Sequence, residues 1–216
     1  MDKISQSLKN ITPFGGLNFS YHAMDSMGLD KFLNDQLGNR SIFAHYSYAD
    51  VVYALFGNAL TQGSFIADLE VLKEKYSKQY FNNIPSPDTI EYVCQELKTP
   101  DIFKETVTGV THQLNYNNKM NETLVSLALK TNQLNDAGTG YTLDYDNVIV
   151  EHDKQDAQYT YKHTKGYHPG IAFIGRIPVH IENRNGNTPA RFEQTETLGR
   201  CFDNLNKHNI RIKHFR

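Results

Sequence analysis

The chain has 216 residues, a formal net charge of −2, 39% hydrophobic residues and 21% charged residues. That balance excludes a disordered or collagen-like chain and gives no global electrostatic reason to bind nucleic acid. No run approaches the ~20 apolar residues of a membrane span, and MDKISQSLKNITPFGG lacks a signal-peptide core, so a cytoplasmic protein without a membrane partner is expected. Cys94 and Cys201 form no CxxC and are expected to be buried thiols in a reducing compartment.

In chain order, residues 20–38 have near-helical apolar spacing through Met24, Met27, Leu29, Phe32, Leu33 and Leu37, broken near Gly28 and ended by Gly38. A second helix is expected after Ser47 as cap. A third, over 64–81, carries Phe65, Ile66, Leu69, Leu72 and Tyr76 on one stripe. In IPSPDTIEYVCQEL, Ser86 can cap a helix with Pro87 first and Asp88 in its first turn, where the helix dipole favours an acid. NETLVSLALKTNQL (121–134) is another amphipathic helix. Short helices with tight connections suit a helix-turn-helix DNA-binding region and equally any small bundle. Residues 1–138 are therefore read as a helical N-terminal region.

At NDAGTG (135–140) the composition changes. Three β-rich runs follow, YTLDYDNVIVEH, GYHPGIAFIGR and IPVHIENR. A helix is expected from Thr188 as cap and Pro189 as first residue, with Phe192, Leu198, Cys201, Phe202 and Leu205 as its stripe. IRIKHFR alternates as a fourth strand. The expected class is α+β, with a β-β-β-α-β order over 139–216.

Asp144 and Asp146 lie two apart in the first of these strands, hence on one face, although Asp is a poor strand former. Three readings are open. The acids can be exposed or paired with Lys or Arg. They can be the DxDx(T/V) of a haloacid dehalogenase-type phosphatase, with Asp144 as nucleophile and Asp146 as acid/base. That fold needs alternating helices and a later acidic pair, whereas two more strands follow here. Or they can belong to a ribonuclease H-like nuclease or strand transferase, whose acids hold two Mg²⁺ ions and whose core opens β-β-β-α-β.

Four ordered stretches carry a family resemblance: PSPDTI (85–90), LDYDNVIVE (143–151), KGYHPGIAFI (165–174) and NRNGNTPA (183–190). Together they resemble the DDE transposases of bacterial insertion sequences. The resemblance implies a helical region that recognises terminal inverted repeats, then a ribonuclease H-like core that cleaves and joins double-stranded DNA with Mg²⁺. It implies a nucleoid-associated location and target DNA as a further partner, and it admits a homodimer. It makes Asp146 the catalytic metal ligand, with Asp144 a supporting acid or salt-bridge partner. Val148 stands where the family often has Thr. The family's second Asp follows the fourth strand and a Glu comes later. Residues 139–216 are thus expected to be the first half of the core, truncated before the second acid and inactive alone. A non-catalytic DNA-binding remnant is the alternative.

From Arg184 to Arg216 the chain is locally basic, and Arg184, Arg191, Lys213 and Arg216 are the candidate phosphate contacts. His163, His168 and His180 are expected in surface or turn roles rather than as metal ligands. His168 is expected to shape the turn that follows it, and YTYKH (159–163) to pack its tyrosines within a strand.

Overall fold

The computed structural model describes residues 12–76, 84–135, 138 and 140–216. It separates into two compact units, Met1–Leu97 and Lys98–Arg216. Among the described residues no helix is long and apolar enough to cross a membrane.

The first unit contains α1 (Leu17–Ser26), α2 (Leu29–Leu37), α3 (Tyr48–Leu60), a 3₁₀ turn (Ile66–Asp68), α4 (Leu69–Lys75) and α5 (Pro87–Leu97). Its breaks follow local chemistry. Gly28 takes the left-handed conformation at φ 62°, which lets the chain turn between α1 and α2, and Gly38 closes α2. Ser47 caps α3 reciprocally: its Oγ accepts the Asp50 N–H at 3.1 Å, and the Asp50 carboxylate accepts the Ser47 N–H at 2.7 Å. The Ser86 Oγ likewise accepts the Thr89 N–H at 3.3 Å at the start of α5. The stripes at 3.6-residue spacing bury Leu33, Leu37, Ala54, Leu69, Leu72, Ile90 and Val93. Tyr21 stacks on Tyr53 with centroids 5.9 Å apart and donates its hydroxyl to the Tyr53 carbonyl. The expected helix over 64–81 is described as far as Tyr76; its remainder lies outside the described residues. Cys94, expected to be buried, is exposed on α5.

The second unit contains β1 (Ile102–Glu105), β2 (Thr111–Tyr116), α6 (Asn118–Lys130), β3 (Tyr141–Asn147), β4 (Val150–Glu151), β5 (Gln158–Tyr159), β6 (Lys165–Tyr167), β7 (Gly170–Ile174), β8 (Ile177–Arg184), α7 (Gln194–Lys207) and β9 (Ile212–Phe215). Six strands form one sheet in the order β1-β2-β8-β7-β3-β9, and β4-β6-β5 form a small second sheet. All pairings are antiparallel except β3 with β9, which is parallel. The chain is therefore α+β.

The large sheet has one face closed by α6 and α7. There Leu143, Ala172, Ile174 and Val179 pack with Val125 and Ala128 of α6 and Cys201 and Leu205 of α7. Strand alternation then sends Thr142, Asp144 and Asp146 to the opposite face.

Three expectations change. The compact division falls at Leu97/Lys98 rather than at 138/139, because β1, β2 and α6 belong to the second unit: β2 pairs with β8, and the Asn121 side chain both accepts the Ile181 N–H and donates to the Ile181 carbonyl. The β1–β2 hairpin lies in a stretch read as mainly helical. The last helix begins at Gln194, not Pro189, because Glu193 has φ 54° and residues 189–193 turn around the Arg184 side chain.

Candidate functional site

Asp146 sits near the end of β3, opposite Ile171 of β7, and is exposed. Its Oδ1 accepts the N–H of Asn147 at 2.8 Å. No ion pair among the described residues involves it. The strand end is fixed by the turn into β7: the Asn147 side-chain amide donates to the His168 carbonyl, and the Val148 N–H donates to the Pro169 carbonyl. Gly170 allows this approach, since a Cβ there would overlap the Tyr145 hydroxyl. His168 is buried, and its Nδ1 lies 2.8 Å from the Thr188 carbonyl, so the imidazole ties the turn before β7 to the loop after β8.

These three segments enclose a cleft of about 650 Å³, lined by Asp146 and Asn147, by Tyr159–Tyr161 and His168, and by Gly186–Ala190. The stretches LDYDNVIVE, KGYHPGIAFI and NRNGNTPA, far apart in sequence, thus meet at one place. Gly186 seats the loop against the β5–β6 hairpin by donating its N–H to the Gly166 carbonyl at 3.1 Å. A Cβ on Gly186 would overlap the Gln158 and Gly166 carbonyl oxygens.

Asp144 is engaged differently. Its carboxylate accepts Nε and Nη2 of Arg216 at 2.7 and 3.0 Å in a two-pronged pair across β3 and β9. It is the salt-bridge partner rather than an open ligand. Among the described residues no three His, Cys, Asp or Glu side chains gather as a metal site. Of the two strand acids only Asp146 is without an ion-pair partner, so this donor set does not fit a Mg²⁺ centre, and no chemical step follows from it.

The four basic candidates separate. Arg191 and Lys213 are exposed. Arg216 is exposed but paired with Asp144. Arg184 is 1% exposed and cannot reach a phosphate. It donates instead to the carbonyls of Ala190 and Phe192 and to the Thr197 hydroxyl, bracing the loop into α7.

His180 is also misplaced by the sequence reading: it is buried beside Glu182, not on the surface or in a turn. Glu182 is fully buried. Its carboxylate accepts Nε and Nη2 of Arg200 at 2.7 and 3.0 Å, the Thr197 hydroxyl at 2.7 Å and His180 Nε2 at 3.1 Å. Burial pushes this carboxyl up, but the hydrogen bonds from His180, Arg200 and Thr197 and the Arg200 charge outweigh it and hold it at about 2. The Arg200 guanidinium also lies over the Tyr116 ring, 4.0 Å from its centroid. The cluster locks α7 to β8 and β2. The Glu182 carboxylate itself is covered by these partners.

Comparison with family models, curated proteins and solved structures finds no match to this chain.

Proposed function

We propose that the chain is part of an insertion-sequence transposase, combining a DNA-binding region with the first half of a ribonuclease H-like core. The observation that carries the reading is the convergence of three resembling stretches on one cleft with Asp146 on its wall. The strand order supports it as well. Along β8-β7-β3-β9 the first three strands are antiparallel and the fourth joins β3 in parallel after a helix, as such a core requires. Asp146 is then the acid that the resemblance assigns to this place, and by itself it does not make a metal site. The other two acids that the resemblance implies have no counterpart grouped with it among the described residues.

DNA affinity is assigned mainly to the second unit. Residues 1–97 carry seven Lys or Arg against eleven Asp or Glu, while residues 98–216 carry fifteen against thirteen. The helical unit therefore has little long-range pull on a phosphate backbone. Its part in recognising terminal repeats rests on short-range contacts.

A second reading, a DNA-binding remnant without chemistry, is favoured by the closure of Asp144 by Arg216, which leaves a single open acid. The phosphatase reading would need Asp144 as nucleophile, and its two oxygens are occupied.

A gel shift with duplex DNA bearing the terminal repeats that flank its own gene tests the proposal. Affinity should fall with salt, and Arg191→Ala and Lys213→Ala should each reduce the slope of log K against log salt by about one. Salt-insensitive binding, or none, would overturn both DNA readings. Mg²⁺-dependent nicking abolished by Asp146→Ala would decide for the transposase over the remnant.

A further inference from the structure

We propose that the arm formed by residues 150–167 is a stacking platform for unpaired DNA nucleotides, which lie in the cleft beside Asp146. The assignment rests on the transposase reading for the identity of the strand and adds the state in which that strand is held.

The tyrosines of YTYKH were expected to pack inside a strand. Instead Tyr159 is 64% and Tyr161 70% exposed, and both line the cleft. They are held outward by what lies between them. Thr160 is buried, its N–H donates to the Thr164 carbonyl at 2.8 Å, and its carbonyl accepts the His163 N–H at 3.0 Å. His163 takes φ 63°, which closes the turn. The hairpin is also anchored at its base through Gly166 and Gly186, so the rings are presented on a fixed support.

Each ring has a cation over one of its two faces. Lys165 Nζ is 5.7 Å from the Tyr159 centroid, and Lys162 Nζ is 5.9 Å from that of Tyr161. Residues 157–167 contain no acid. Asp156, which accepts the Tyr167 hydroxyl at 2.7 Å, lies at the other end of the hairpin from the Thr160–Thr164 turn. Exposed aromatic faces flanked by lysines are the arrangement that binds single strands, because every base has a face to stack and every phosphate a charge to neutralise.

Asn147 and Asn187 line the cleft together with the tyrosines and bring side-chain amides to its wall. A volume of about 650 Å³ lies within the roughly 300–1,000 Å³ of sites for small organic ligands, enough for a nucleotide. Paired bases have their faces covered by their neighbours in the stack, which selects an unpaired segment.

Fluorescence anisotropy of the full chain with a short labelled oligothymidine, and separately with a duplex, tests this. The Tyr159→Ala/Tyr161→Ala protein should lose about fivefold or more in single-strand affinity for each stack removed, with duplex affinity within about twofold of the parent. Tyr159→Phe/Tyr161→Phe should keep its single-strand affinity, since the ring face is retained. Unchanged single-strand affinity in the alanine protein, or an equal loss in the phenylalanine protein, would overturn the assignment. Failure of the parent chain on duplex alone would count against the transposase reading, while tyrosine-dependent single-strand binding would still uphold the arm.

Discussion

Arg216 reaches across the parallel pair of β9 and β3 and places Nε and Nη2 on the two oxygens of Asp144, at 2.7 and 3.0 Å. The pair is open to solvent, so its geometry is specific while its net attraction is screened. Asp144→Asn is expected to shift the urea midpoint only slightly. The same substitution should leave salt-dependent duplex binding intact, because Asp144 is not assigned a phosphate or a metal. A large loss of binding would show that this pair shapes the interface.

The Glu182 cluster makes the second unit acid-sensitive. The folded carboxyl is held at about 2 against an ordinary 4.5. A depressed folded value means that the unfolded chain binds the proton more readily. The stabilisation is therefore complete above about 4.5 and is lost as pH falls through that value toward 2. Urea midpoints measured across that window should fall steeply for the parent and more shallowly for Glu182→Gln.

Removing the cation from the same cluster leaves an uncompensated buried charge. Arg200→Ala should cost about 3 kcal/mol or more in an equilibrium unfolding measurement, well above the cost of a surface arginine. A cost near zero would mean that water replaces the guanidinium.

Gly166 and Gly186 face each other where the hairpin meets the loop after β8. An alanine Cβ at Gly166 would overlap the Val150 carbonyl oxygen, and at Gly186 it would overlap two backbone oxygens. Backbone cannot swing aside as a side chain can. Each substitution should cost about 1–3 kcal/mol and weaken single-strand binding by displacing the arm. Calorimetry alongside the anisotropy measurement separates the two effects.

Ser47→Ala removes both hydrogen bonds that its hydroxyl makes with Asp50 and leaves the Asp50 N–H without its acceptor. A loss of about 1 kcal/mol is expected in the stability of the helical unit, and Ser47→Thr should recover most of it.

What could be read from the sequence was the chemistry that acts locally. Ser47, Gly28, Gly38 and the stripe from Leu69 to Tyr76 settle their own neighbourhoods, and the two-residue spacing put Asp144 and Asp146 on one face of their strand. The long-range events were hidden. In β8 the polar residues His180, Glu182 and Arg184 alternate with Ile181, which reads as a solvent-facing set. The structure turns that set inward, because Thr197 and Arg200, three apart on α7, supply its counter-groups. That spacing was the available signal. Thr188-Pro189 looked like a helix start because it has the residue types of one. Arg184, from an earlier strand, captures the carbonyls of Ala190 and Phe192 and delays the helix.

The two cysteines report on different units. Cys94 is exposed, whereas Cys201 is sealed between the sheet and α7, its thiol pushed up to about 12 by burial and by the charge of Glu182. Partial burial and the charge of Glu91 push the Cys94 thiol up as well, so a thiol-specific reagent should label Cys94 slowly but well ahead of Cys201 under native conditions. Cys201 reacts only when α7 lifts from the sheet. Its slow modification rate is an internal clock for opening of the second unit, readable without introducing a foreign probe.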